Sequence, residues 1–240
     1  MISSEKIGKL YLIPITLGES DFETVLPISI NRTLHFINDY IVENEKTARK
    51  FIKSIQPEIK QSSLNLKTLN KYTETTDHLK MIQPCLDGKN VGLMSEAGCP
   101  GIADPGADIV KIAHSKGIQV VPLVGPSSIL LAMMASGMNG QSFAFNGYLP
   151  IDKSEKKSAL KQFEKLSFDK NQSQLFIETP YRNNKLLEDL LQILNVNTSL
   201  CIACDITLPT EFIQTKRISD WKKFKIDLHN RPTIFIIHKF

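Results

Sequence analysis

Residues 91–106 read VGLMSEAGCPGIADPG. A short apolar run is followed by Ser95, Glu96 and Asp104, set among three glycines and two prolines. A plain strand-to-helix connection takes about 2–6 residues, whereas this one runs on for roughly ten. Oxygen-bearing side chains at this spacing suit hydroxyl or ammonium groups. Backbone amides at a following helix N-terminus suit an anion, and glycines let the backbone approach a ligand closely. A second loop, Gly125-Pro126-Ser127-Ser128, follows the next apolar run. The first loop lacks the Gly-Lys-Ser/Thr of a nucleotide P-loop and the Gly-x-Gly-x-x-Gly of a dinucleotide site. A structural reading stands beside the chemical one. Asp104 reads as a helix N-cap with Pro105 at the first helical position, and Ser127 or Ser128 reads as a cap as well.

Four carboxylates, Glu43, Glu178, Asp205 and Glu211, fall at or just beyond the ends of apolar runs. Each is placed to act as a general base or to hold a polar ligand. Each is equally placed to cap a turn or to pair with a base such as Lys46 or Arg182.

The elements that must position these groups alternate. Strands are expected at 10–15, 35–42, 91–94, 118–121, 175–177, 200–206 and 233–238, with a new register beginning at Phe143. Helices are expected at 20–34 with a break at Pro27, and at 45–55, 77–86, 105–117, 125–137, 153–166 and 183–194. Ala48, Phe51, Ile52 and Ile55 mark one helical face. Strand and helix alternating up to Val124 is the pattern of a mostly parallel sheet covered on both faces. Two α/β domains are expected, 1–122 and 123–240. In such sheets ligands bind outside the carboxyl ends of the strands.

The chain has 240 residues, 42% of them hydrophobic and 22% charged, an ordinary globular composition. A net charge of +4 permits a nucleic-acid partner without arguing for one. No 18-residue apolar run or basic-then-apolar leader is evident, so a cytoplasmic protein without a membrane span is expected. Four cysteines make no disulfide framework. Cys201 and Cys204 lie in a strand-like run, where alternation points them to opposite faces. The five histidines show no ligand spacing, and no metal is expected. Basic residues cluster at Lys153, Lys156, Lys157, Lys161 and Lys165, and again at Lys216, Arg217, Lys222, Lys223 and Lys225. The second cluster holds Trp221 and Phe224. Such clusters form either an RNA surface or solvated faces, and Trp221 either a stacking platform or a helix anchor.

In order, the pieces of this chain resemble the tetrapyrrole-methylase superfamily, most closely its ribosomal small-subunit methyltransferase I branch. The pieces are Tyr11-Leu12-Ile13-Pro14 with Gly18, residues 43–50, Ser95-Glu96-Ala97-Gly98-Cys99-Pro100 with Asp104-Pro105-Gly106, and Val121-Pro122-Leu123-Val124-Gly125-Pro126. Asn146-Gly147-Tyr148-Leu149-Pro150, Glu178-Thr179-Pro180-Tyr181-Arg182, and Thr207 with Glu211 complete the series.

The resemblance implies two α/β domains with a cleft between them that holds S-adenosylmethionine. It implies a homodimer, and an acceptor that is a ribose 2′-hydroxyl of 16S rRNA in the ribosomal subunit. The implied cofactor-binding set is Pro14, Ser95, Glu96, Ala97, Gly98, Pro100, Asp104, Gly125, Pro126, Ser127, Ser128, Glu178 and Thr179. The catalytic candidates are Glu43, Glu178 and Glu211.

Departures from the family pattern fall mostly on polar and basic positions. Glu96 replaces Asp, and Asn44-Glu45-Lys46 replaces Asp-Thr-Arg. Asn70-Lys71-Tyr72-Thr73 replaces a His-rich patch. Cys204 and Leu208 replace Arg and Lys, and Arg231-Pro232 replaces Gly-Glu. The methyl donor is therefore implied more fully than the acceptor. Two other readings stay open: a methyltransferase of a small molecule such as a tetrapyrrole, and a cofactor-binding protein without activity.

Overall fold

A computed structural model of the chain describes residues 7–70 and 72–240. Lys71, within the segment aligned with the His-rich patch, lies outside the described residues. The chain divides into two compact units at Ser127/Ser128, a little beyond the expected 122/123 division.

The first unit runs β1 (Lys9–Leu12), α1 (Phe22–Val25), α2 (Ile28–Leu34), β2 (Asp39–Val42), α3 (Glu45–Ile55), β3 (Asn65–Thr68), α4 (Thr75–Leu86), β4 (Val91–Met94), α5 (Gly106–Ser115) and β5 (Gln119–Pro122). Its sheet has the order β3-β2-β4-β1-β5, and every pairing is parallel.

The order explains the two cores. From β1 the chain steps to β2 and β3 on one side, then returns through β4 to β5 on the other. Right-handed crossovers put the helices of the outward steps on one face and those of the return on the opposite face. Accordingly Ile30, Leu34, Ala48, Phe51 and Ile52 of α2 and α3 pack with Tyr40 and Val42. Met81, Ile82, Ile109 and Ala113 of α4 and α5 pack with Leu10, Ile41 and Leu93. Tyr40 and Ile41 are neighbours that point to different cores, as the two-residue strand period requires. Gly92, in the middle of β4, leaves the space that the Tyr40 ring and Ile13 fill.

The second unit runs α6 (Ser128–Ser136), β6 (Phe143–Tyr148), α7 (Lys153–Lys170), β7 (Ser173–Ile177), α8 (Asn183–Ile193), β8 (Ser199–Cys204), β9 (Phe212–Arg217), α9 (Ile218–Trp221) and β10 (Thr233–His238). Its sheet is mixed, with the order β6-β7-β10-β8-β9. β6 and β7 are parallel, while β10 runs antiparallel to both β7 and β8. Phe176, Ile202 and Phe235 are fully buried beneath Leu160, Leu186 and Leu190.

Several expected boundaries moved. The strand expected at 35–42 is confined to β2. His35 still has helical backbone, and the Phe36 amide bonds back to Thr33, so the chain turns before it extends. The expected helices end a few residues away from their observed limits, as α7 shows by continuing to Lys170. β3 and β9 were not expected as strands. Both are sheet edges, hydrogen-bonded to a neighbour on one side. Their polar residues, such as Asn65, Lys67, Gln214 and Lys216, hide the apolar period.

The first basic cluster is not a uniform solvated surface. Lys156 is buried, its ammonium 3.2 Å from Asp189 of α8. Lys161 pairs with Glu164, which also accepts from the Asn195 amide and the Thr198 hydroxyl. Trp221 is an anchor, not a platform. It is buried, and its indole N–H donates to the Leu200 carbonyl at 2.8 Å.

The Lys156–Asp189 pair carries a stability prediction. Removing Asp189, which also pairs with the exposed Lys185 at 3.3 Å, strands the Lys156 charge in the interior. Asp189→Leu should therefore cost about 3–5 kcal/mol in urea unfolding, and the double variant Lys156→Met/Asp189→Leu should recover most of that loss. A double variant as unstable as the single one would refute a buried, mutually compensating pair.

Candidate functional site

In the first unit, β1 and β4 lie side by side and the chain leaves them in opposite directions. That is the switch point where a crevice opens outside the carboxyl ends of an open parallel sheet. The loops gathered there follow β1, β2, β4 and β5. They contain Pro14, Glu43, residues 95–105 and residues 123–127.

Close packing joins these loops. The Ile15 amide donates to the Gly98 carbonyl at 3.0 Å, and the two residues form an isolated antiparallel bridge. Gly125 lies against Pro14 so closely that a Cβ there would overlap the proline ring. Gly98 has φ +69°, a left-handed backbone that favours glycine, and a Cβ there would crowd Leu17. Both glycines answer to neighbouring protein atoms. A valine at either one would disturb the loops themselves, so the ligand-approach reading of these positions gives way to a packing one. The Cys99 thiol rests 3.4 Å from the Pro126 carbonyl, and Pro14, Pro100 and Pro126 are buried. The Ser95 hydroxyl closes a short turn onto the Ala97 carbonyl.

Asp104 does not take the expected N-cap position: Pro105 occupies it instead of the first helical position, and α5 begins one residue later, at Gly106. One carboxylate oxygen accepts from the Gly106 amide at 2.7 Å, and both oxygens accept from Gly101 at 2.9 Å. It thereby folds the loop back and presents its carboxylate to the first amide of α5. Ser127 ends the first unit, and Ser128 opens α6 in the second.

Glu43 and Glu96 meet at the ends of neighbouring strands β2 and β4. The Glu96 amide donates to Glu43 Oε1 at 3.0 Å, while the Thr47 hydroxyl donates to Glu96 Oε1 at 2.6 Å. Thr47 is a contact that sequence reasoning missed. Its signal was Asn44, whose side chain caps α3 by accepting from the Lys46 and Thr47 amides. The replaced Asp-Thr-Arg segment therefore keeps a structural role. Glu45 pairs with Arg49, which also donates to the Gln61 and Leu64 carbonyls.

Burial pushes the Glu43 carboxyl above its ordinary range. The Glu96 amide opposes that shift, and the nearby charges of Asp104 and Glu96 add to it. Burial also raises Asp104, against the pull of its amide donors. Among the described residues none of Glu43, Glu96 and Asp104 has a cationic partner within ion-pair distance. No group of three His, Cys, Asp or Glu there is arranged to hold a metal ion. An edge with uncompensated carboxylates is electrostatically suited to an organic cation or to hydroxyl groups.

The other carboxylate candidates lie in the second unit and are committed. Glu178, at the end of β7, is 7% exposed. Its Oε1 accepts from Arg182 at 2.7 and 3.0 Å and from the amide and hydroxyl of Thr179. Asp205 Oδ2 accepts from Arg231 Nε and from the Thr210 hydroxyl, each at 2.8 Å. Arg231 therefore gives the Arg231-Pro232 departure a structural function. Exposed Glu211 accepts from the Thr207 amide at 2.8 Å. Asp205 and Thr207 both carry positive φ, 51° and 72°. For a β-branched threonine this is a backbone outlier. The ion-pair and capping readings thus describe Glu178, Asp205 and Glu211, whereas Glu43 has no basic ion-pair partner among the described residues.

The raised Glu43 pKa has a signed consequence. A carboxyl raised in the folded state binds a proton more tightly there than in the unfolded chain. Stability is then lost as pH rises from the ordinary glutamate range through the folded value. Glu43→Gln should raise the urea midpoint at pH 7 and leave it close to wild type below about pH 4. A variant less stable than wild type at pH 7 would contradict a half-buried carboxylate whose pKa is raised by that burial.

The chain matches the tetrapyrrole (corrin/porphyrin) methylases over residues 25–221. It is 30% identical to the Ribosomal RNA small subunit methyltransferase I of Halalkalibacterium halodurans over 81% of this chain, and it spans 63% of that protein. It is 31% identical to the protein of the same name from Thermotoga maritima, over 91% of this chain and 94% of that one. Among solved structures, uroporphyrin-III C-methyl transferase from Thermus thermophilus, complexed with S-adenyl homocysteine, superposes with a TM-score of 0.56 at 14% identity. The overlap covers 97% of this chain and 98% of that one, a likeness of fold. With an α/β fold, a switch-point edge and a family match across most of its length, the chain belongs to the tetrapyrrole (corrin/porphyrin) methylase family.

Proposed function

We propose that this protein is an S-adenosylmethionine-dependent methyltransferase whose acceptor is a ribose 2′-hydroxyl of small-subunit ribosomal RNA. The observation that carries the reading is the series of relatives named for that rRNA, matched over most of this chain. The chemistry of the first unit's edge supports the donor. A sulfonium and an ammonium are cations, and Glu43, Glu96 and Asp104 are carboxylates without a cationic partner among the described residues. Bound there, the donor supplies a methyl group already activated by its positive sulfur.

The residues of the chain then have ordinary tasks. Pro14, Gly98, Gly125 and Pro126 hold the loops at the spacing the donor needs. Ser95, Glu96 and Ala97 present oxygen and amide groups at the end of β4. Glu43 faces the donor's charge. In the second unit, Glu178 with Thr179 and Arg182, and Asp205 with Arg231, fix two loops as positioning groups. In-line methyl transfer is served mostly by such alignment and by exclusion of water.

We also place the protein in the cytoplasm, where its RNA would be, and assign it a homodimer. No helix among the described residues is long and apolar enough to cross a membrane. α6 leaves Leu130 and Met134 exposed, which supports a partner surface. Light scattering at micromolar concentration should give twice the chain mass, and a stable monomer would refute the dimer.

The substrate test is transfer of labelled methyl from S-adenosylmethionine to small-subunit rRNA from cells lacking this activity, run beside a tetrapyrrole. Label in a ribose 2′-O-methyl nucleotide is the expected result. Label in the tetrapyrrole alone would move the protein to the small-molecule branch. Donor binding without transfer to either acceptor would leave a binding protein.

A further inference from the structure

Two large aromatic side chains stand exposed at one end of the second sheet. Tyr148 closes β6 and is 56% exposed, and Tyr181, in the turn after β7, is 61% exposed. β6 and β7 are adjacent parallel strands, and Tyr148 pairs in register with Ile177, the residue before Glu178. Both tyrosines therefore emerge from neighbouring carboxyl ends.

Their placement is built. The β6–β7 register slips between Phe145 and Tyr148, and Gly147 sits in the slip at φ +63°. Such a bulge re-aims the side chain that follows it. The Asn146 side-chain Nδ2 holds the bulge by donating to Gln174 Oε1 at 3.0 Å and to the Leu175 carbonyl at 3.3 Å.

Tyr181 lies in a short 3-10 turn, Pro180–Arg182. The Arg182 amide bonds back to Thr179 at 2.8 Å, and the Asn230 amide donates to the Pro180 carbonyl at 3.1 Å. The Arg182 guanidinium is 5.4 Å from the Tyr181 ring centroid. It is fixed there by Glu178, and the Tyr148 phenol lies within its electrostatic reach. A rigid turn and a clamped arginine leave little side-chain entropy to lose on binding.

We propose that Tyr148 and Tyr181, with Arg182 beside them, form a stacking platform for unpaired bases of the RNA acceptor. The inference rests on the RNA reading given above and deepens it. Single-stranded RNA is held by bases laid on aromatic and guanidinium planes, with cationic contact to the backbone. Neither tyrosine is used by the core, since Phe176, Phe235 and Trp221 fill it. Rings this exposed, on backbone this well fixed, are placed to be touched from outside.

The test uses the full chain and a mixed-sequence single-stranded RNA, with fluorescence anisotropy as the readout. Tyr148→Ala and Tyr181→Ala should each weaken RNA binding roughly 5- to 150-fold, the range that follows from loss of one stacked base. Tyr→Phe at either site should keep most of the affinity, because a phenyl ring still stacks. Binding of S-adenosylhomocysteine should not change, and the thermal midpoint should stay near wild type. The slope of affinity against salt should also be kept, since no phosphate contact is removed.

Wild-type RNA affinity in both alanine variants would overturn the platform while leaving the RNA reading intact. A wild-type chain that binds S-adenosylhomocysteine but no RNA would overturn both. Alanine variants that lose a porphyrin instead of RNA would assign the two rings to a macrocycle and refute the proposal.

Discussion

The first unit depends on the contact of Gly125 with Pro14. It is the point where the loop after β5 meets the loop after β1, and no side chain fits between them. A second tie, Ile15 to Gly98, brings in the loop after β4. With Pro126 supplying its carbonyl to the Cys99 thiol, three loops from separate strands become one surface. Their order in the sheet makes this possible, because β1 lies between β4 and β5. The long Gly/Pro loop is the means by which distant parts of the chain reach each other.

On that frame the charged groups divide into two kinds. In the second unit, carboxylates meet arginines: Glu178 with Arg182 and Asp205 with Arg231. Their work is to hold loop shape, and the positive φ of Asp205 and Thr207 shows that the loop between β8 and β9 needs holding. In the first unit, Glu43, Glu96 and Asp104 have amide and hydroxyl donors but, among the described residues, no cation. Burial raises two of them, Glu43 and Asp104. Carboxylates raised in this way cost the fold some stability at neutral pH.

Much of this was legible in the residues. The alternation of apolar runs with helical periods implied the α/β class, and the face marked by Ala48, Phe51, Ile52 and Ile55 became the buried face of α3. The local bond of Asp104 to the helix start was legible in the Asp-Pro-Gly spacing, although Pro105 and not Asp104 takes the N-cap position. What failed was non-local. β3 and β9 are polar edge strands whose pairing is decided by their neighbours. The packing role of Gly125 depends on Pro14, more than a hundred positions earlier. Lys156 was read with its basic neighbours, but Asp189 lies on another helix and draws it into the interior. The exposure of Tyr148 and Tyr181 had no sequence signal beyond a glycine and a proline beside them.

The central claim is that the carboxyl edge of the first sheet holds the methyl donor. Amide hydrogen exchange with and without S-adenosylhomocysteine tests it directly. The account predicts added protection in residues 13–18, 43–47, 95–106 and 123–127, with little change in α4 or α7. Protection confined to other segments, or an exchange pattern unmoved by saturating ligand, would contradict it.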